Sequence, residues 1–187
     1  ESFHSLAESQ QKQLHFLAEM DALNMEYDPE KVRQIVANLL SNALKFTPEK
    51  GNIYISISEN ILQNDATAAM LIIKVKDTGI GIPEDQLEHI FDRFYQLDNS
   101  HTRKTEGTGI GLALTKELVK LMEGEITVKS PPTGANKGSE FTVMLPLKKL
   151  PVTENAVINP YLKELSVQKP NAAITHGVVI ADEKQIN

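Results

Sequence analysis

The sequence predicts an α+β domain. Ile53, Ile55 and Ile57 alternate with Tyr54, Ser56 and Ser58, the period of a half-buried strand. Residues 29–46 carry apolar side chains at helical spacing behind a recognisable start signal. Short glycine-rich blocks punctuate the junctions between such segments: Asp77-Thr-Gly-Ile-Gly-Ile-Pro83 and Gly107-Thr-Gly-Ile-Gly-Leu112.

In chain order, residues 1–12 are polar with sparse apolar positions and read as the end of a helix. Residues 13–19 read as a first strand with Leu14, Phe16 and Ala18 on one face, and residues 23–27 as a short second one. Asp28-Pro29-Glu30 combines an N-cap, a proline in the first turn and an acid at the positive dipole end. The following helix places Val32, Ile35, Val36, Leu39, Leu40 and Ala43 on one stripe and ends at Thr47-Pro48. Residues 52–59 and 69–76 form a pair of strands joined by a hairpin-like connection over 60–67. Pro83 opens a second helix bearing Leu87, Ile90 and Phe91. Residues 94–106 lack periodicity and read as a long mobile loop. A third helix over 109–122 precedes final strands at 125–129 and 139–145. Residues 148–187 contain Pro151, Pro160 and Pro170 without an amphipathic pattern, as expected of a linker.

The 187 residues suit one domain with tails, and 41% hydrophobic with 24% charged residues is the balance of a globular chain. The longest apolar stretch, residues 68–75, is interrupted by Lys74 and falls well short of the roughly 20 residues of a membrane helix. With no cysteine, disulfides and zinc–thiolate centres are excluded. A net charge of −6 argues against a broad nucleic-acid surface. A polyanion such as ATP could still bind through local donors and a metal ion.

Asn38 and Asn42 are four residues apart, so both amides share one helix face, with Lys45 close to it. An amide oxygen suits Mg²⁺, which keeps several waters and takes few protein ligands beside phosphates. A lysine suits phosphate oxygens. The same residues would equally fit an ordinary amphipathic helix with a polar face of Asn, Ser and Lys. Asp77 ends a strand, where a carboxylate can accept from the exocyclic amine of adenine. Gly79 and Gly81 allow close approach of backbone to a flat base, although Asp and Gly are also common turn residues. Gly107, Gly109 and Gly111 precede the third helix, whose free N–H groups and dipole would attract phosphate; a flexible glycine hinge is the plainer alternative. The spacing matches neither the dinucleotide fingerprint nor the Walker A loop. Phe91 and Phe94 could anchor a lid or pack in the core. The five histidines show no metal-ligand spacing.

Together, Asn38-Leu-Leu-Ser-Asn42-Ala-Leu-Lys45, the Asp77 and Gly107 blocks, Phe91-Asp-Arg-Phe94-Tyr95 and Gly138-Ser-Glu-Phe-Thr142 resemble the asparagine, glycine and phenylalanine boxes of the ATP-binding catalytic domain of sensor histidine kinases. The resemblance covers roughly residues 12–147 and extends to the ATPase domains of DNA gyrase, MutL and the heat-shock chaperone. It implies the Bergerat ATP-binding fold: a two-layer α/β sandwich with a mixed sheet of about five strands on three helices. It implies Asn42 as the Mg²⁺ ligand, Lys45 as a phosphate contact and catalytic residue, and Asp77 on the adenine amine with Gly79, Gly81 and Ile82 around the base. It further assigns Asn38, Phe94, Tyr95, Thr108 and Leu112 to the ATP site, Gly107, Gly109 and Gly111 to the lid, and Thr142 to a water-mediated adenine contact. Arg103, with Lys104, falls in the lid, where relatives use basic side chains near the γ-phosphate.

Two departures from the family pattern carry meaning. Hydrolytic relatives place a glutamate general base where this chain has Asn38, and an amide cannot take a proton from water. That favours the kinase branch, in which a histidine imidazole is the nucleophile. Many kinases carry an arginine after the Phe-Tyr pair, where this chain has Gln96, leaving Arg93 or Arg103 to serve. No histidine here has the phosphoacceptor context. The resemblance therefore implies residues 1–12 as the stub of an upstream helical hairpin, residues 13–147 as the catalytic domain, and residues 148–187 as a linker or tail toward a receiver domain. The implied activity is transfer of the γ-phosphate of Mg-ATP to a histidine of a separate dimerisation domain, in two-component signalling with a downstream response regulator. The implied parent is a homodimer with this domain in the cytoplasm and an anchor in a bacterial inner membrane. A non-catalytic docking module and a serine-kinase-like relative of the same fold are the alternatives.

Overall fold

The computed structural model describes residues 3–18, 28–61, 69–96 and 108–147. The expected strand at 23–27, the connection at 62–67, most of the loop at 94–106 and the tail after residue 147 lie outside the described residues.

The chain enters through helix α1 (Phe3–Ser9), whose Phe3, Leu6 and Ala7, at helical spacing, face the core. Strand β1 (Gln13–Ala18) follows, and then helix α2 (Pro29–Phe46). Asp28 caps α2 as its sequence position implies: the carboxylate accepts from the N–H groups of Glu30 at 3.0 Å and Lys31 at 3.3 Å. The apolar stripe of α2 buries Ile35, Leu39, Leu40, Ala43 and Leu44. At its end the Thr47 N–H still reaches Ala43 O at 3.0 Å, and Pro48 can add no further donor.

Strands β2 (Asn52–Ile61) and β3 (Ala69–Asp77) pair antiparallel, followed by helix α3 (Gly111–Leu121), β4 (Glu125–Lys129) and β5 (Glu140–Leu147). The five strands form one mixed sheet in the order β1-β2-β3-β5-β4. Only β1 and β2 run parallel, because α2 carries the chain back between them. One sheet face, carrying Ile53, Ile55, Ile73, Val75, Val143 and Leu145, is buried with the apolar stripes of α2 and α3. The register puts Tyr54, Ser56, Lys74, Lys76, Thr127 and Thr142 on the opposite face. This is the expected two-layer sandwich, with a mixed five-stranded sheet and three α-helices among the described residues. Leu39 is central to it, and Leu39→Ala would cost about 2–5 kcal/mol through lost transfer energy and a cavity.

One expected element differs. The segment after Pro83 is a single 3₁₀ turn at Glu84–Gln86 followed by further tight turns, not an α-helix. Its backbone bonds are mostly of the i to i+3 kind, as in Leu87 N–H to Glu84 O and Asp92 N–H to His89 O. The cause is tertiary. Ile90 is buried in the core, Phe91 packs edge-on against Phe141 at 6.4 Å, and Phe94 N–H binds Gly109 O at 2.9 Å. Those anchors fix a tighter path than an α-helix would follow. Phe16, expected on the inner face of β1, is on that face but 49% exposed, since β1 is an edge strand.

Among the described residues no helix is long and apolar enough to cross a membrane.

Candidate functional site

Asn38, Asn42 and Lys45 lie along the C-terminal half of α2. Asn38 is committed to α3: its Nδ2 donates to Gly111 O and to Thr115 Oγ1, each at 3.2 Å. A carbonyl oxygen can only accept, so the nitrogen of the amide must face α3. Thr115 is fully buried and itself donates to Gly111 O at 2.9 Å, closing a three-membered polar cluster beneath the first turn of α3. Asn42, one turn further along α2, is half-buried, and its side chain makes no hydrogen bond with a described residue. Lys45 has no acidic partner among the described residues; its ammonium lies 5.0 Å from the centre of the Phe46 ring.

The C-terminal end of α2 meets the turn that follows β3. Ile80 N–H donates to Phe46 O at 3.3 Å, and a Cβ at Gly79 would stand 2.4 Å from the same oxygen. Glycine is therefore required at 79 for the turn to press against the helix end. Asp77 begins this turn on the inner face of β3 and is 5% exposed. Its Oδ1 accepts from Gly79 N–H at 2.7 Å. Burial pushes the Asp77 carboxyl above the ordinary carboxylate range, and the backbone N–H groups of Gly79 and Ser139 draw it partly back. A carboxylate oxygen has more than one lone pair, so the carboxylate can accept from a further donor beside these backbone groups. Gly81 takes a φ of +79°, and Ile82 packs against the core edge.

In the segment leading into α3, Gly109 has a φ of +66°, and a Cβ there would lie 2.8 Å from Phe94 Cα. Only glycine adopts that conformation without strain under that contact. Helix α3 then starts at Gly111 with no side-chain cap, so its first-turn N–H groups have no partner within the helix. Uncapped donors aided by the helix dipole form an anion-binding arrangement. Leu112 is half-buried against the core, and Thr108 is exposed. Phe94 is 73% exposed with a φ of +66°, whereas Tyr95 is half-buried and tilted against His89 at 5.7 Å. Gly107, Arg103 and Lys104 lie outside the described residues.

One expected site residue lies away from the others. Thr142 pairs with Lys74 and Thr127 on the outer face of the sheet, away from Asp77, because Phe141 and Val143 on either side of it take the inner face. Ser139 occupies the place beside Asp77 instead. It is buried, and its carbonyl accepts from Asp77 N–H at 2.8 Å. Strand parity carried the signal: counting back by two from the inward Phe141 reaches residue 139, and counting forward reaches 143, never 142.

The residues present suit Mg²⁺ and ATP in kind. Among the described residues no cluster of three or more His, Asp or Glu could hold a metal alone. A single uncommitted amide suits a cation whose other ligands are phosphate and water. A buried carboxylate with remaining acceptor capacity suits an exocyclic amine, and uncapped helix donors suit phosphate.

The family model for histidine kinase-, DNA gyrase B- and HSP90-like ATPases matches residues 27–149. The chain is 44% identical over 126 residues to the sensor histidine kinase WalK of Bacillus subtilis, covering 67% of this chain and 19% of that protein. It is 45% identical over 158 residues to the circadian input-output histidine kinase CikA of Synechococcus elongatus, covering 84% and 18%. The chain thus spans less than a fifth of the length of CikA, and 19% of WalK. Among solved structures, full-length ShkA in complex with AMPPNP superposes with a TM-score of 0.63 at 25% identity, over 79% of this chain and 29% of that one. The mycobacterial sensor histidine kinase MprB superposes with a TM-score of 0.61 at 23% identity, over 79% and 91%, a likeness of fold.

Proposed function

Because the chain belongs to the histidine kinase-, DNA gyrase B- and HSP90-like ATPase family, we propose that it binds Mg-ATP and presents the γ-phosphate to a histidine on a separate dimerisation domain. The observation that carries this reading is that two turns are tied to the C-terminal half of α2. The Asp77–Ile82 turn is tied to Phe46 at one end, and the start of α3 is tied to Asn38 at the other. Asn42 and Lys45 stand between them without committed partners among the described residues. A base seated at Asp77 and a phosphate chain seated at α3 would have to pass over those two side chains.

In this reading the Asp77 carboxylate accepts from the adenine amine, and the buried setting makes that acceptor selective for a donor. Guanine presents a carbonyl at the corresponding position, which would leave the carboxylate facing an acceptor. Asn42 offers its amide oxygen to Mg²⁺, which when bound offsets the negative charge of the phosphates. Lys45 and the first-turn N–H groups of α3 hold the phosphate chain, so that alignment and electrostatics do the catalytic work. Asn38 cannot act as a general base, and its nitrogen is occupied by α3, so water is not activated from this position. Three relatives are sensor or hybrid histidine kinases by name, which supports the kinase branch; the proposal extends to a dimeric parent, a phosphoacceptor hairpin in the same protein and a receiver as downstream partner.

The test is transfer from γ-labelled ATP to a phosphoacceptor hairpin supplied in trans. Acid-labile, base-stable label on the hairpin, dependent on Mg²⁺, supports the reading. Release of inorganic phosphate without labelling of the hairpin would place the chain with the hydrolytic relatives.

A further inference from the structure

Ser130 lies in the β4–β5 connection, outside every sequence block that pointed to the site. Its Oγ accepts from Ile82 N–H at 2.7 Å and donates to Gly138 O at 2.8 Å. A hydroxyl has one proton, so this donor is spent and the oxygen is engaged at the same time. Gly138 is itself locked in place: its φ is +94°, and a Cβ there would lie 2.0 Å from Asp77 O. The next residue, Ser139, receives the Asp77 N–H at 2.8 Å. The turn from Asp77 to Ile82 is therefore held at both ends by the same dipeptide. Gly138-Ser139 grips its start directly and its end through the Ser130 hydroxyl. Gly81 sits between, where a Cβ would be 3.1 Å from Ser130 Oγ.

We propose that Ser130 is a positioning residue for base recognition, holding the Asp77–Ile82 turn at the spacing an adenine needs. This rests on the reading that Asp77 receives the base. The phosphate-binding groups are carried by α2 and α3, neither of which hydrogen-bonds to Ser130. Loss of the hydroxyl should therefore act on the base and not on the fold as a whole. With Ser130→Ala, the end of the turn loses its tie and the Ile82 N–H loses its acceptor.

The experiment is calorimetric titration of the wild-type chain and its Ser130→Ala and Ser130→Thr variants with Mg-ATP, alongside thermal unfolding without nucleotide and hydrogen exchange at the Ile82 amide. We expect Ser130→Ala to raise the ATP dissociation constant about fivefold to tenfold, the scale of a lost hydrogen bond. Exchange at Ile82 should quicken, the unfolding midpoint should move only slightly, and Ser130→Thr should restore binding. If Ser130→Ala does not fold, Ser130→Cys keeps the volume while bonding weakly and carries the same test. An unchanged dissociation constant with wild-type binding intact overturns the role of Ser130 alone. A loss of affinity no larger than the loss of folded protein overturns it as well. No ATP binding by the folded wild type overturns the adenine reading of Asp77 and the role of Ser130 with it.

Discussion

Asn38 Nδ2 donates to Thr115 Oγ1 at 3.2 Å across the interface of α2 and α3, joining the helix that carries Asn42 and Lys45 to the helix that starts without a side-chain cap. The bond is buried on the Thr115 side, and both partners also bind Gly111 O. Thr115→Val keeps the shape but leaves the Asn38 amide one acceptor short. It should lower the unfolding free energy by about 1–2 kcal/mol in urea titration. Asn38→Glu should cost more, because a carboxylate cannot donate to Gly111 O. Equal stability of wild type and Thr115→Val would show that the bond contributes nothing.

Asp77 is a case in which the site works against the fold. Its carboxyl is raised by burial, so between the ordinary carboxylate pKa and the raised one the folded chain holds more protons than the unfolded chain. Stability then falls as pH rises through that window, and above it the full cost of the buried charge is present. Asp77→Asn removes the charge while its side-chain oxygen can still accept from Gly79 N–H. At neutral pH the variant should unfold at the same or higher urea concentration than the wild type, with a flatter acid limb. Its affinity for ATP should fall by about 1–3 kcal/mol, since the base-reading acceptor is altered. Unchanged ATP affinity would remove Asp77 from the site.

Asn42 and Lys45 should separate binding from folding. Neither is engaged by a polar partner among the described residues. Asn42→Ala and Lys45→Ala should therefore shift stability by less than about 1 kcal/mol, the lysine variant losing a favourable charge near the helix C-terminus. Asn42→Ala should abolish the increment that Mg²⁺ adds to ATP affinity. Lys45→Ala should weaken ATP binding about tenfold with the Mg²⁺ increment retained. Calorimetry with and without Mg²⁺ reads both. Two identical profiles would contradict the division of roles.

Two glycines with similar backbone angles should respond differently to alanine. Gly138 has a φ of +94° and a Cβ there would lie 2.0 Å from Asp77 O, whereas Gly134 has a φ of +77° with nothing within 4 Å. Gly134→Ala should cost about 1 kcal/mol, for the conformation alone. Gly138→Ala should cost at least about 2–3 kcal/mol and weaken ATP binding, because backbone must move at Asp77. Urea titration of the two variants decides, and equal costs would show that the contact at Asp77 yields freely.

Much of this was legible in the sequence because local signals and tertiary packing agreed. Asp28-Pro29 caps α2 as written, and the alternation at Ile53–Ile57 gives the inner face of β2 directly. The segment after Pro83 was misleading because Leu87, Ile90 and Phe91 suggest a helical stripe. Only the contacts of Ile90 with the core and of Phe94 with Gly109 reveal the tighter path. Thr142 is on the outer face because strand parity turns its neighbours Phe141 and Val143 inward, a local feature that a motif match does not weigh. Ser130 could not be read at all. Its two partners, Ile82 and Gly138, lie 48 and 8 residues away, and no local pattern joins them.

The proposed site holds Mg-ATP between the Asp77 turn and the start of α3. Calorimetric titration of the 187-residue chain with ATP, with and without Mg²⁺ and with GTP as comparison, tests it most directly. The expected result is saturable binding that tightens with Mg²⁺, discriminates against GTP and loses that discrimination in Asp77→Asn. A folded chain that binds neither nucleotide, or binds both equally, would contradict it.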